Sequence, residues 1–292
     1  MGRIEVTHFT DPGCPWAYSA SPALAVLRWR YGDQLDWRIV TIGLTESPQR
    51  YIDAGYTPAL MAAGNRRRFG RYGMPLIAEP RSRVVASSRA CRAIVAARRR
   101  HPGSEEQVLR ALQFGWFTTT LLMDEDRDIA AALERVGGID AAAVTAAIDD
   151  PEVVAEYERD KEETRRAEGS PTDLQGKARQ TDGPVRYSAP SLVFSRNGTR
   201  LEAGGFQPVE AYDVLIANLD TTLERRGPAE DAAEALAAFP DGLVTREVAA
   251  VMAPNNTAPD PSSAERELIE LAAEGRVRRE PLADDALWRA VA

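Results

Sequence analysis

Cys14 stands in the run Asp11-Pro12-Gly13-Cys14-Pro15-Trp16-Ala17-Tyr18, directly after a β-rich segment and at the expected start of a helix. At such a junction, unpaired backbone N–H groups and the positive end of the helix dipole favour an anion. The position therefore predicts a stabilised thiolate with a depressed pKa. A dithiol redox cycle needs a second cysteine three residues on, and there the chain has Ala17. A lone Cys14 can form a mixed disulfide with a protein or small thiol, but no internal attack can release it. Two chemistries then stay open. In one, an external thiol completes turnover; in the other, Cys14 hydrogen-bonds a bound thiolate cofactor whose own sulfur attacks an electrophile.

Cys91 is the other cysteine, in Ser87-Ser88-Arg89-Ala90-Cys91-Arg92-Ala93-Ile94. Helical spacing puts it on one face with Ile94, which fits a core residue. As a distant resolving partner for Cys14 it would need Cα atoms within roughly 7 Å. Tyr18 lies one helical turn from Cys14, where a hydroxyl either donates near the thiol or packs. Gly204-Gly205-Phe206-Gln207-Pro208 precedes an expected helix. Glycines there let a ligand approach the backbone, and a helix N-terminus can hold a carboxylate or phosphate. Arg66, Arg67, Arg68 and Arg71 either line an anionic-ligand entrance or form a solvated face. Trp116 and Phe117 read as core, His8 as packed beside the first strand, and His101 as a helix end.

The elements that position these residues follow from periodicity. Arg3–Thr10 and Leu35–Gly43 read as strands, with a helix over Pro15–Tyr31 stopped by Gly32. That β-α-β unit favours parallel strands with a right-handed crossover. From Thr57 every segment reads helical: Thr57–Phe69, Ser87–Arg100, Glu105–Met123, Asp126–Val136 and Asp140–Glu168. Strand character returns at Ser191–Phe194 and Thr199–Glu202, joined by the hairpin signal Asn197-Gly198. A helix over Pro208–Leu219 follows. The order predicts an α/β chain: a thioredoxin fold over 1–56 and 180–221, with a large all-helical insert over 57–179. Beyond a linker near Thr222–Pro228, residues 228–292 read as three helices and a hairpin, the pattern of a winged-helix-like domain.

Composition bounds the function. The chain has 292 residues, 44% hydrophobic and 27% charged, with a net charge of −8, within the soluble globular range. No apolar run approaches the roughly 20 residues of a membrane span. Met1-Gly2-Arg3 runs straight into Ile4-Glu5-Val6, without the pattern of a leader, so a cytoplasmic protein is expected. Two cysteines are too few for a disulfide framework and lack zinc-site spacing, so no metal is expected. Residues 57–100 carry eleven Arg against one acid, whereas residues 228–292 carry six Arg against thirteen acids. The acidic balance of the last segment argues against DNA binding, which relies on neutralising phosphates. Protein contact, homo-oligomerisation or covering the active-site edge suits that segment better.

Strand-Asp-Pro-x-Cys-Pro-Trp-x-Tyr, a helical insert and an x-Pro strand start together resemble the DsbA-like branch of the thioredoxin superfamily. Within it, the likeness is to the FrnE-like group, which shades into the 2-hydroxychromene-2-carboxylate isomerases and kappa-class glutathione transferases. The resemblance spans about residues 3–220. It implies that Cys14 is the attacking cysteine, that Pro15-Trp16 match the inter-cysteine dipeptide, and that Ala189-Pro190 carries the cis proline facing the thiol. The backbone before that proline would pair with substrate, and the Gly204–Gln207 turn would contact a thiol cofactor. Ala17 departs from the dithiol pattern, as in transferase and isomerase relatives that need no resolving cysteine. The expected function is that of a thiol-dependent oxidoreductase, transferase or isomerase acting through Cys14, with a low-molecular-weight thiol and an electrophilic substrate as partners. The alternatives are a dithiol oxidoreductase using Cys14 with Cys91, and a non-catalytic binding or regulatory protein on the same scaffold.

Overall fold

The computed structural model describes residues 2–181 and 183–291; Met1 and Ala292, the outermost residues of the expected units, lie outside them. β1 (Ile4–Thr10) leads through α1 (Pro15–Ser19) and α2 (Ser21–Tyr31) to β2 (Leu35–Thr41). The expected single helix over Pro15–Tyr31 is broken at Ala20, because Pro22 lacks the N–H that would continue the ladder. β1 and β2 are parallel, with Phe9 opposite Val40.

A helical run follows: α3 (Gln49–Asp53), α4 (Pro58–Phe69), α5 (Ser88–Arg100), α6 (Glu105–Thr118), α7 (Asp126–Leu133), α8 (Ala141–Ala146), α9 (Pro151–Thr164) and α10 (Pro171–Leu174). α6 stops five residues before the expected Met123. There the hydroxyls of Thr118 and Thr119 donate back to the carbonyls of Phe114 and Gly115, both at 2.7 Å, and Thr119 turns extended. The helix expected over Asp140–Glu168 is two, since Pro151 forces Asp150 to ψ 135°.

β3 (Ser191–Arg196) and β4 (Thr199–Ala203) form the expected hairpin, and α11 (Val209–Leu219) packs behind it. Its turn has positive φ at Asn197 and Gly198, 49° and 80°, as an Asn-Gly two-residue loop demands. β3 runs antiparallel to β1, which completes the sheet order β2-β1-β3-β4. Ile4, Val6, Leu192 and Phe194 bury one face of this sheet against Leu24, Leu27, Tyr212 and Ile216 of α2 and α11. Phe9, Val40, Ile42 and Val193 bury the other face with Cys14, Ala167, Tyr187 and Ala189. α5 and α6 centre a separate core that includes Cys91, Ile94, Leu112 and Phe117.

The chain ends in α12 (Ala232–Ala237), β5 (Leu243–Val244), α13 (Thr245–Met252), α14 (Pro261–Ala273), β6 (Val277–Leu282) and β7 (Asp285–Ala290). The three strands form an antiparallel sheet of order β5-β7-β6. β5 was not expected from sequence, because two residues carry no periodicity. This unit packs α13 on α2: Ala25, Val26 and Trp29 share one core with Leu236, Val248, Leu268 and Trp288. Where the two meet α6, Glu247 is fully buried and accepts from Arg110 at 2.6 and 2.5 Å, from the Val244 N–H at 2.9 Å, and from Ser21. The β6–β7 turn reaches α4 and the segment after it, where Asp284 accepts from Arg66 of α4 and from the Leu76 N–H at 2.8 Å. No helix among the described residues is long and apolar enough to cross a membrane.

Candidate active site

Cys14 caps the first helical turn with extended backbone, and Pro15 takes the first helical position, where a missing N–H costs nothing. The loop before it is held by Asp11. This buried carboxylate accepts from the N–H groups of Gly13 and Leu44, both at 2.8 Å, from Ser87 at 2.9 Å, and from the Cys91 thiol at 3.4 Å. Burial raises the Asp11 carboxyl above its ordinary range, against the pull of those donors.

The Cys14 thiol is buried and donates to the Ala189 carbonyl at 3.3 Å. The Ala189-Pro190 peptide is cis, and the Ala189 carbonyl is the group that faces the thiol. The expected low pKa is overturned. Burial pushes the thiol up to about 12; the Ala17 and Trp16 N–H groups and the charge of Arg186 oppose that rise, and the charge of Asp11 adds to it. The local helix start acts in the direction expected from sequence, but desolvation of the anion outweighs it.

Cys14 opens onto a cleft of about 640 Å³ bounded by Trp16, Leu44, Tyr51, Tyr56, Ala189, Gly205 and Phe206. Its charged lining among the described residues is Lys177, Arg179 and Arg186, with no acid. Trp16 is 41% exposed and packs edge-on to Phe69, beside Tyr72 and Phe206, at centroid distances of 5.0, 5.8 and 5.6 Å. The fold thus brings together Cys14, Trp16, Ala189, Gly205 and Phe206, while Pro15 and Pro190, their chain neighbours, are not among the lining residues.

Three expected site residues sit otherwise. Tyr18 turns into the helical core, stacks on Phe117 at 4.5 Å and donates to the Pro75 carbonyl at 2.9 Å, so its hydroxyl is a packing group away from the thiol. Gly204 lies against Thr172, whose Cγ2 would come within 2.5 Å of an added Cβ; close packing, not a ligand, requires the glycine. Gln207 folds back to donate to the Gly204 carbonyl at 2.8 Å. Arg66 is engaged by Asp284 and the Leu76 carbonyl, while Arg71 lies over the Tyr72 ring at 4.9 Å.

The cations and tyrosines of the cleft went unnoticed in the sequence. Lys177, Arg179 and Arg186 belong to an aperiodic stretch, folded back by an isolated bridge between Arg179 and Arg186. Their only advance signal was a basic cluster flanking a turn just before the x-Pro pair. Cys91 is fully buried, bonded to Asp11 and not part of the cleft lining; burial pushes its thiol far up as well. Among the described residues no group of three or more His, Cys, Asp and Glu side chains could hold a metal ion.

The model of a DSBA-like thioredoxin domain matches residues 5–178. The chain belongs to that family. Solved structures agree on the fold. The cytosolic disulfide reductase DsbM from Pseudomonas aeruginosa is 18% identical, with a TM-score of 0.52, covering 75% of this chain and all of its own. A second structure of that reductase, with glutathione, gives a TM-score of 0.50 at 18% identity over 74% of this chain and 98% of its own. A Streptomyces coelicolor protein assigned as a DsbA oxidoreductase reaches 0.53 at 17% identity, covering 78% of this chain and 93% of its own. No curated protein matches the sequence. The matched span includes Cys14-Pro15-Trp16-Ala17, whose fourth residue is alanine.

Proposed function

We propose that this DsbA-like protein binds a small anionic thiol, of the glutathione type, in the cleft beside Cys14. Cys14 stays reduced and turns its S–H from the Ala189 carbonyl to the sulfur of that thiol, which, its proton lost to water, adds as a thiolate to an electrophilic substrate. The observation that carries this reading is a buried thiol opening onto a cleft whose charged lining among the described residues is cationic. Lys177 and Arg179 pair with the carboxylates of the thiol, and the donated S–H favours its thiolate. The structure of the Pseudomonas reductase with glutathione supports the choice of ligand class. With Ala17 in place of a resolving cysteine and Cys91 bonded to Asp11, a dithiol cycle has little support.

The chain order supports dividing the molecule into a thioredoxin-like unit (1–56 and 180–221), a helical insert (57–179) and a winged-helix-like unit (228–292). In this reading the last unit covers α2 and braces α4.

Titration of glutathione by calorimetry tests the role of Cys14. Binding weakens about five- to tenfold in Cys14→Ala, as expected for one lost hydrogen bond, and less in Cys14→Ser, whose hydroxyl still donates. Lys177→Ala weakens it by a similar factor. Rapid appearance of a glutathione adduct on Cys14 when the protein meets glutathione disulfide at neutral pH overturns the hydrogen-bonding role.

A further inference from the structure

Phe206 has two sides. One faces the Cys14 cleft; the other, with Tyr72, borders a separate groove of about 240 Å³ between α2, the 206–210 turn and the C-terminal unit. Its walls include Val26, Val209, Ala250 and Pro254, which make an apolar bed. Arg246 of α13 projects onto this groove. Its aliphatic stem lies against Gly73, where an added Cβ would sit 3.0 Å from Arg246 Cδ and where φ is +79°. Glycine at 73 therefore leaves room for the stem and fixes its course.

The guanidinium is half-buried, its Nε is buried without a hydrogen-bond partner, and no acid among the described residues pairs with it. Other cations at comparable depth in this molecule are paired: Arg30 with Asp213, Arg98 with Asp160, Arg110 with Glu247. On the groove itself, Arg30 is thus occupied, and Glu210 accepts from the Asn256 N–H at 3.2 Å. A half-buried cation on the wall of a largely apolar groove, with its Nε unpaired and no acid bound to it among the described residues, favours an anion there, because a desolvated donor left unpaired is costly.

We propose that this groove is a second subsite that takes a small organic acid, seating its apolar body on Val26, Val209 and Ala250 and its carboxylate on Arg246. The inference deepens the reading of the Cys14 cleft. The two lobes meet at Phe206, so the thiol occupies one and the electrophile the other. It also gives the C-terminal unit a direct part in binding, through a residue that lies beyond the span of the family match.

Calorimetric titration with 2-naphthoate, and with 2-naphthamide as the uncharged control, tests the subsite in the reduced full-length protein. Naphthoate binds more tightly than naphthamide, and Arg246→Gln weakens naphthoate about tenfold while leaving naphthamide unchanged. Arg246→Lys, which keeps the charge and most of the stem, restores part of the loss. Lys177→Gln reports binding in the neighbouring cleft; if it removes naphthoate binding and Arg246→Gln does not, the proposal is overturned. Equal affinity for acid and amide, or no binding at millimolar naphthoate, overturns it too. The same titrations in Cys14→Ser separate the two readings, since the subsite survives there even if the role assigned to Cys14 is wrong.

Discussion

Alkylation of Cys14 by iodoacetamide in a Cys91→Ala protein rises about tenfold per pH unit through pH 10, with no plateau. The thiolate is the reactive form, and burial with the nearby charge of Asp11 lifts the thiol to about 12. Against a free cysteine near 8.5, that difference lowers the thiolate population at pH 7 by roughly three-thousandfold. A plateau with a midpoint below pH 7 would show that the helix start prevails, and the hydrogen-bonding role would fall with it. Linkage gives a second reading. Because the folded pKa lies above the unfolded one, this group's contribution to stability is full below about pH 8.5 and is lost as pH rises toward 12.

Removing the Glu247 carboxylate carries the largest expected cost in stability. Glu247→Ala lowers unfolding free energy by about 3–5 kcal/mol, the usual result of leaving a buried charge without its partner. The stranded group is Arg110, only 18% exposed, which also loses two short hydrogen bonds; Ser21 and the Val244 N–H lose their acceptor as well. Urea unfolding measures the loss, and a change below about 1 kcal/mol would mean that water replaces the pair freely. Arg110→Leu combined with Glu247→Leu recovers most of it, since an apolar pair of similar volume avoids the desolvation of both ions. Burial works against the charge of Glu247, yet Arg110, Ser21 and the Val244 N–H hold its carboxyl below the ordinary value. The pair therefore stabilises fully above the unfolded glutamate pKa of about 4.3, and its contribution fades as pH falls through the lower folded value.

Much of the scaffold was legible because its signals are local. Alternation in Ile4–Thr10, the Asn197-Gly198 turn and the 3.6-residue rhythm of Ser88–Arg100 each depend on neighbours within a few residues. Misjudged boundaries have two origins: Pro22 and Pro151 break helices whose apolar rhythm continues across them, and Thr118 and Thr119 end α6 by donating to the carbonyls of Phe114 and Gly115. At the site, Cys14, Trp16 and Phe206 were readable from motif and turn chemistry. Lys177, Arg179 and Arg186 were not, because only tertiary folding carries them to the thiol. The pKa of Cys14 was misjudged for the same reason. A helix start is visible in sequence, whereas burial is contributed by Phe9, Val40, Tyr187 and Ala189 from distant elements. Tyr18 was drawn the other way by Phe117 and Pro75, two partners with no sequence signal.

The shared core of α2 and α13 sets a limit on how this chain can change over evolutionary time. Trp29 also pins the linker, donating to the Gly227 carbonyl at 2.6 Å beneath the guanidinium of Arg226 at 3.4 Å. A gene shortened before Ala229 would leave Ala25, Val26 and Trp29 as a bare apolar stripe, a surface that invites aggregation. In this chain the appendage therefore cannot be removed without replacing what covers α2. Its acidic outer surface is free to diverge, while its inner face must follow the sequence of α2.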